Sequence, residues 1–436
     1  MDFVADVRLT DGPVFWTVCV LGAAAALYLV WRPPASGTRR WLKALTFSLV
    51  AGLVVVAAVH WALIDVFSTF PDDLPVEVLI WTVLAVSALI LLVVRLPRSS
   101  WRQRSAGCAA FLLVLLLSAV QINAYFGLNR TVSDVMGTAV ARVATLEPAL
   151  TRQAEAAAPV LLEGWRPQGD LPGEGVLRKA AIPGLASGMA TREAYVYLPP
   201  AYFAANRPAL PVLLLFSGQP GGPSDWLTGG ALRVHMDSFA AAHGGVAPVV
   251  VVADPNGSQS ANTLCMDSRI AQADTYLSDD VPRWISATLD VDPNHRKWAV
   301  GGFSFGATCA LQMGTRHPDI FSSVLAFSSE LEPALAKERE KTIDASFPGD
   351  TAAFDRQTPL SMMERTRFDS SGIYFAAGER DPEFVGYMDK LAEAARKSGF
   401  SVEAKQVQSA GHSWATPSKG MAGGLDFLAA RWGLKP

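Results

Sequence analysis

The sequence predicts an N-terminal region of four transmembrane helices followed by a domain with a mostly parallel β-sheet covered by helices on both faces. Three observations carry this. Residues 12–127 hold four long, nearly uncharged apolar runs. Beyond about residue 173, short β-rich runs alternate with helical ones, the pattern of a layered α/β domain. The positive mean hydropathy (+0.24), with only 18% charged residues, comes from the first of these regions, while the rest reads as ordinary globular sequence.

The apolar runs cover about 13–31, 42–64, 76–95 and 107–126. Each is near the roughly 20 residues a helix needs to cross a bilayer core. Their orientation follows from the basic residues. Arg32, Arg39, Arg40 and Lys43 fill the first connection, and Arg95, Arg98, Arg102 and Arg104 the third. The second, around 65–75, carries Asp65, Asp72 and Asp73 and no Lys or Arg. Both basic loops are therefore expected in the cytoplasm, with both termini and the following domain outside. Trp16, Trp31, Trp41, Trp61 and Trp101 fall near span ends, where amphipathic rings prefer the headgroups. The first span lacks a basic stretch before it and a small-residue cleavage signal after it, and reads as a retained span. The polar exceptions are His60 and Asp65 near the outer end of the second span and Gln121 and Asn123 in the fourth; they lie near an interface, so an interfacial role is the expectation.

Residues 128–172 are expected to form a juxtamembrane amphipathic helix and a linker. Val132, Val135, Val140, Val143 and Leu146 recur at helical spacing up to Pro148, and Pro159, Pro167 and Pro172 mark the linker in 156–172. The α/β domain then occupies 173–436. Its strands are expected at 192–198, 211–216, 248–253, 297–302, 322–327, 372–377 and 401–408, with helices including 275–289, 305–315 and 384–399.

A net charge of −3 and no basic stripe give no sign of a nucleic-acid partner. Four cysteines exclude a disulfide scaffold, and no C-x-x-C or His/Cys cluster suggests a structural metal. The apolar runs make the bilayer an expected partner, and neither a metal nor an organic cofactor is expected.

The informative motif is W-A-V-G-G-F-S-F-G-A-T-C-A-L-Q at 298–312, containing G-x-S-x-G as Gly302-Phe303-Ser304-Phe305-Gly306. Five letters alone are weak evidence. A hydrophobic strand before them and a small-residue helix after them make the nucleophile elbow of an α/β-hydrolase fold. A serine needs a positioned base. Of the five histidines beyond the spans, only His412, in S-A-G-H-S-W-A, follows the last predicted strand. His317 reads as a capping or packing residue, His295 as a turn residue, and His235 and His243 as helix-surface or helix-end residues. The acid should follow the strand ending near Ala377, in G-E-R-D-P-E-F. Asp381, before the proline that opens the next helix, is the first choice, with Glu379 as runner-up. The oxyanion donors are expected to be the backbone N–H groups of Phe305 and of Gln219, in S-G-Q-P-G-G after the strand L-L-L-F.

From about 190 to 436 the chain resembles the esterase D and mycolyltransferase (antigen 85) branch of the α/β-hydrolases. The resemblance rests on F-S-G-Q-P-G-G, G-G-F-S-F-G-A-T-C-A-L-Q, R-H-P-D-I-F, G-E-R-D and G-H-S-W. It implies Ser304, Asp381 and His412 as a triad, with Gln219 and Phe305 as oxyanion donors. The secreted mycolyltransferases have no four-span anchor and use a glutamate as the acid, so membrane-anchored actinobacterial esterases look closer. Some hydrolases of that kind remove aminoacyl groups from phosphatidylglycerol.

The expected function is hydrolysis of a lipid or cell-envelope ester through an acyl-Ser304 intermediate. The alternatives are transfer of the acyl group to an envelope acceptor, and a non-catalytic membrane sensor or scaffold that retains the fold. Cys265, in the long loop 255–274, and Cys309, five residues after Ser304, are expected to form a disulfide in an exported domain.

Overall fold

A computed structural model describes residues 7–31, 37–152 and 160–434. Arg32, in the first basic connection, and residues 156–159 of the expected linker lie outside them. The chain forms two compact units, Met1–Thr138 with Leu335–Arg339, and Ala139–Ala334 with Glu340–Pro436.

The first unit contains α1 (Gly12–Trp31), α2 (Thr38–Trp61), α3 (Val76–Arg95) and α4 (Trp101–Phe126). All four are long and apolar enough to cross a membrane. Two outrun their apolar cores. α2 starts in its basic segment and continues as a π-helical turn through Ala62–Val66. α4 starts at Trp101 because Ser100 and Gln103 cap it, the Ser100 N–H donating to Gln103 Oε1 at 3.0 Å. Small residues allow close crossing: a Cβ on Gly22 of α1 would come within 2.5 Å of Leu117 Cβ on α4. Of the polar residues, His60 Nε2 accepts the Leu74 N–H (3.2 Å) and Asn123 Nδ2 donates to the Asn129 carbonyl (2.7 Å), while Gln121 Nε2 on α4 donates across to Cys19 Sγ on α1 (3.3 Å).

The expected juxtamembrane helix does not form. Val132–Val135 and Thr138–Ala141 are single helical turns, separated by Gly137 at φ 65°. The left-handed glycine ends the first turn, so the valine stripe never shares one helix. Thr145 instead forms a parallel bridge with Lys179, and the described part of the expected linker packs on the domain, with Trp165 buried in its core.

The second unit is built on β1 (Val176–Ala180), β2 (Ala194–Leu198), β3 (Val212–Phe216), α5 (Leu232–Ala242), β4 (Val249–Val252), α6 (Val281–Thr288), β5 (Trp298–Phe303), α7 (Phe305–Arg316), β6 (Ser323–Phe327), β7 (Gly372–Gly378), α8 (Pro382–Lys397), β8 (Ser401–Val407) and α9 (Ala415–Trp432). One eight-stranded sheet runs β1-β2-β4-β3-β5-β6-β7-β8. β1 and β2 pair antiparallel, as do β2 and β4, and every later pairing is parallel.

Strand alternation sends side chains to two cores. Val212, Leu214 and Phe216 of β3 and Val324 and Ala326 of β6 join one cluster with Ala310, Leu311 and Met313 of α7 and Leu391 and Ala395 of α8. On the other face α9 lies on Leu325 and Phe327 of β6, close enough that a Cβ on Gly420 or Gly424 would be 3.1 or 3.2 Å from those rings and methyls. Both faces are thus covered, and β3 and β4 expose nothing.

Candidate active site

β5 ends at Phe303, and Ser304 turns the chain into α7 at φ 55°, ψ −123°. No L-residue adopts that conformation without strain, so the surroundings must hold it. Two glycines make the turn possible. A Cβ on Gly302 would lie 2.2 Å from the Gly306 carbonyl carbon, and one on Gly306 would lie 2.3 Å from the Phe216 oxygen. The Ser304 N–H donates to Phe327 O (2.9 Å), pinning the elbow to β6.

His412 comes from the loop between β8 and α9. Its Nε2 stands 2.8 Å from Ser304 Oγ, and its Nδ1 stands 3.1 Å from Asp381 Oδ2. With Nδ1–H donating to the carboxylate, Nε2 is left to accept the hydroxyl proton. Asp381 caps α8 immediately before Pro382. The imidazole lies between Phe384 and Phe303, with ring centroids 4.0 and 5.3 Å away. Trp414 packs on Phe303 and on buried Trp226, whose indole N–H donates to Phe216 O at the end of β3 (2.9 Å). These aromatic neighbours were not apparent from the sequence, although G-H-S-W placed Trp414 two residues after the imidazole.

Glu379 is exposed and makes no contact with His412. Its carboxylate accepts the Ser409 N–H (2.9 Å), while its own N–H donates to Val407 O and that of Arg380 to Ala410 O. It joins the acid loop to the histidine loop.

Phe305 opens α7, so its N–H has no partner inside the helix. The loop after β3 passes beside the hydroxyl: a Cβ on Gly218 would be 3.6 Å from Ser304 Cβ. Gln219 follows, its side chain donating to Ser260 O (3.0 Å). The loop is braced by residues that sequence reasoning missed. Arg192 Nη1 donates to Gly221 O (3.0 Å), while its Nε and Nη2 donate to Asp254 at 2.9 and 2.7 Å. Asp254 is fully buried at the end of β4 and also accepts the N–H groups of Arg192, Asn256 and Gly257. Burial pushes its carboxyl up, but the hydrogen bonds and charge of Arg192 outweigh this and hold it below the ordinary carboxylate range. Asp225 accepts the Gly222 N–H (2.9 Å), and burial pushes its own carboxyl up. The acid closing V-V-V-V-A-D, at the mouth of a parallel sheet, was the available signal.

Cys265 and Cys309 are bonded, with 5.5 Å between Cα atoms. Asp274, Arg316 and His317 reinforce the same junction: His317 Nε2 is 2.9 Å and Arg316 Nη2 2.7 Å from Asp274 Oδ1. His295 lies in a turn, His243 ends α5, and His235 sits on α5 with its Nε2 3.3 Å from Ser418 Oγ. Among the described residues, no group of three His, Cys, Asp or Glu could hold a metal ion.

A parallel sheet flanked on both faces, with a serine on a strained strand–helix turn and a histidine after the last strand, defines an α/β-hydrolase-like domain. The chain belongs to the esterase family described as "Putative esterase", which it matches over residues 189–426. An uncharacterized protein of Corynebacterium glutamicum is 37% identical over 255 residues, which is 57% of this chain and 59% of that protein. The chain thus matches less than two thirds of that relative's length. Among solved structures, a ferulic acid esterase is similar at a TM-score of 0.50 and 18% identity, covering 59% of this chain and 99% of that one. An S-formylglutathione hydrolase from Agrobacterium tumefaciens is similar at 0.50 and 18%, covering 62% and 100%. At such identity the likeness speaks for the fold alone.

Proposed function

We propose that the protein is a membrane-anchored serine esterase that cleaves a lipid or cell-envelope ester through an acyl-Ser304 intermediate. The observation that carries this reading is the unbroken line from Ser304 Oγ to His412 (2.8 Å) to Asp381 (3.1 Å). His412 takes the hydroxyl proton as Ser304 attacks the ester carbonyl, then gives it to the departing alcohol. Asp381 holds the imidazole in the right tautomer and stabilises its cation. The N–H groups of Phe305 and Gln219 receive the oxyanion. Water then attacks the acyl-enzyme, with His412 again as base.

A tether of four spans keeps the site near lipid, which favours an ester carried by the membrane or envelope, such as an aminoacyl-phosphatidylglycerol. The basic connections support an orientation with both termini and the esterase domain outside the cytoplasm, where Cys265 and Cys309 can oxidise. A fluorophosphonate probe applied to intact cells tests both parts. Labelling that disappears in Ser304→Ala is expected. Wild-type protein that stays unlabelled after lysis refutes the mechanism, and labelling only after lysis refutes the orientation.

A further inference from the structure

A cavity of about 650 Å³ is lined by residues 187–190, Asn256, and residues 261–263 and 268–272. It lies beyond the end of β4. In the sheet order, β4 neighbours β3 and β3 neighbours β5, so the strand that leads to the cavity runs two strand spacings, roughly 10 Å, from the strand that leads to Ser304. The segment that forms its wall also carries the oxyanion loop. Gly221 N–H donates to Gln259 O and the Gln219 side chain to Ser260 O, both at 3.0 Å.

Both walls are built firmly. On one side buried Asp280 accepts the N–H groups of Ala186 (2.7 Å) and Ser187 (3.0 Å). On the other, the Cys265–Cys309 bond ties the loop to α7, and Gln312 Nε2 and Arg316 Nη2 donate to the carbonyls of Leu264 (3.0 Å) and Cys265 (2.7 Å).

The side-chain groups left to the cavity are mainly donors, the Gln272 amide oxygen being an acceptor, since its Nε2 donates to the Ser268 carbonyl (3.2 Å). The Ser268 hydroxyl accepts the Ile270 N–H (3.1 Å) and so keeps its O–H to give, whereas the Ser187 hydroxyl accepts the Met189 N–H (3.2 Å) and gives its own proton to Asp280. Asn256 Oδ1 accepts the Thr263 N–H (3.0 Å), which leaves its NH2. Arg269 donates through Nη2 to the carbonyls of Asp344 and Ala345 and brings a guanidinium to the cavity. No carboxylate lines the cavity. The nearby acids are committed, Asp254 to Arg192 and Asp267 to the N–H and hydroxyl of Thr275.

A donor-rich, acid-free cavity with one guanidinium complements a group that is anionic and rich in acceptors. We propose that it is an anion subsite of the Ser304 centre, holding a phosphate-type group carried by the ester substrate. This rests on the esterase reading and deepens it, since a cationic group would find no counter-charge there.

The test uses the full chain in detergent and two esters that differ only in the anion, 1-butyrylglycerol and 1-butyrylglycerol 3-phosphate. Wild type is expected to favour the phosphorylated ester about tenfold in kcat/KM, through KM, the order a charge-assisted contact gives. Arg269→Gln should bring the ratio to within about twofold, and Arg269→Lys should restore part of it. Competition by millimolar inorganic phosphate supports recognition of any soluble phosphate. Inhibition by phosphatidylglycerol vesicles, but not by inorganic phosphate or phosphatidylcholine vesicles, supports a lipid headgroup. Equal use of the two esters by wild type, or an unchanged ratio in Arg269→Gln, overturns the subsite. Phosphonate labelling of Ser304 separates the two readings. If labelling fails, the esterase reading falls; if it persists while the ratio is unmoved, only the subsite is lost.

Discussion

The two units of this chain use apolar residues in opposite ways. In the esterase domain β3 and β4 hide every side chain, and Trp226 and Trp298 are fully buried. In the helical unit Trp16, Val20, Leu27 and Val54 are each more than 60% exposed, and the buried positions include small residues such as Gly22 and Ala25. Water drives apolar groups inward in the first case. Helices apolar enough to cross a membrane would find no such drive in lipid, where close approach at small residues would hold them together. Composition alone therefore does not say what is inside; the solvent does.

Predictions can break or sharpen that contrast. The largest effect falls on a residue that packing hardly needs. Ser304→Ala should lower ester hydrolysis by about 10⁶ in kcat, with His412→Ala nearly as severe, while thermal unfolding stays near wild type. Comparable turnover in wild type and Ser304→Ala would remove the mechanism. Next comes the covalent tie. Cys265→Ser with Cys309→Ser frees a loop whose ends are 44 residues apart. Chain-entropy arguments give a loss of about 4 kcal/mol, read by denaturant unfolding. A midpoint that does not move would show that packing alone fixes the loop.

The contrast itself is tested by a matched pair of truncations. Leu214→Ala, in a fully buried strand, should cost about 3 kcal/mol by the same unfolding measurement. Val54→Ala, 61% exposed on α2, should cost less than about 0.5 kcal/mol, because its outer surface meets a medium as apolar as itself. Similar losses at the two positions would contradict the reading of the helices. The smallest effect is acid sensitivity. Asp254 and Asp274 are pushed up by burial, but Arg192 in one case and His317 with Arg316 in the other hold them below the ordinary range. An unfolded aspartate titrates near pH 4, so this contribution is complete above about pH 4 and is lost as pH falls through the lower folded values. Melting temperatures of the domain should decline below pH 4; a flat profile down to pH 3 would count against both pairs.

Much of the fold and of the candidate site could be read from sequence, for reasons particular to the segments. V-V-V-V and V-L-L-L-F announce buried parallel strands, because β-branched and aliphatic runs between turn signals have few other uses. G-G-F-S-F-G specifies its own backbone. β1 was not read because V-L-R-K-A is a half-wet edge strand without alternation. α9 was not read because Gly420, Gly423 and Gly424 lower its helix propensity, and the same glycines let it lie on β6 and β7. The juxtamembrane stripe had helical spacing, but a single left-handed glycine broke its phase. The Arg192–Asp254 brace joins residues 62 apart, a contact that no local pattern encodes.

The stitching between the acid and histidine loops has a consequence for motion. Glu379, Arg380 and Ser409 tie the two loops by three hydrogen bonds, whereas the imidazole meets the elbow through one hydrogen bond, to Ser304, and ring packing on Phe303. Base and counter-ion therefore travel as one body. In the proposed mechanism, an acyl group on Ser304 that pressed the imidazole away would carry Asp381 with it, and protonated His412 would keep its counter-ion. The weak joint of the relay is the one that chemistry must open and close in every turnover.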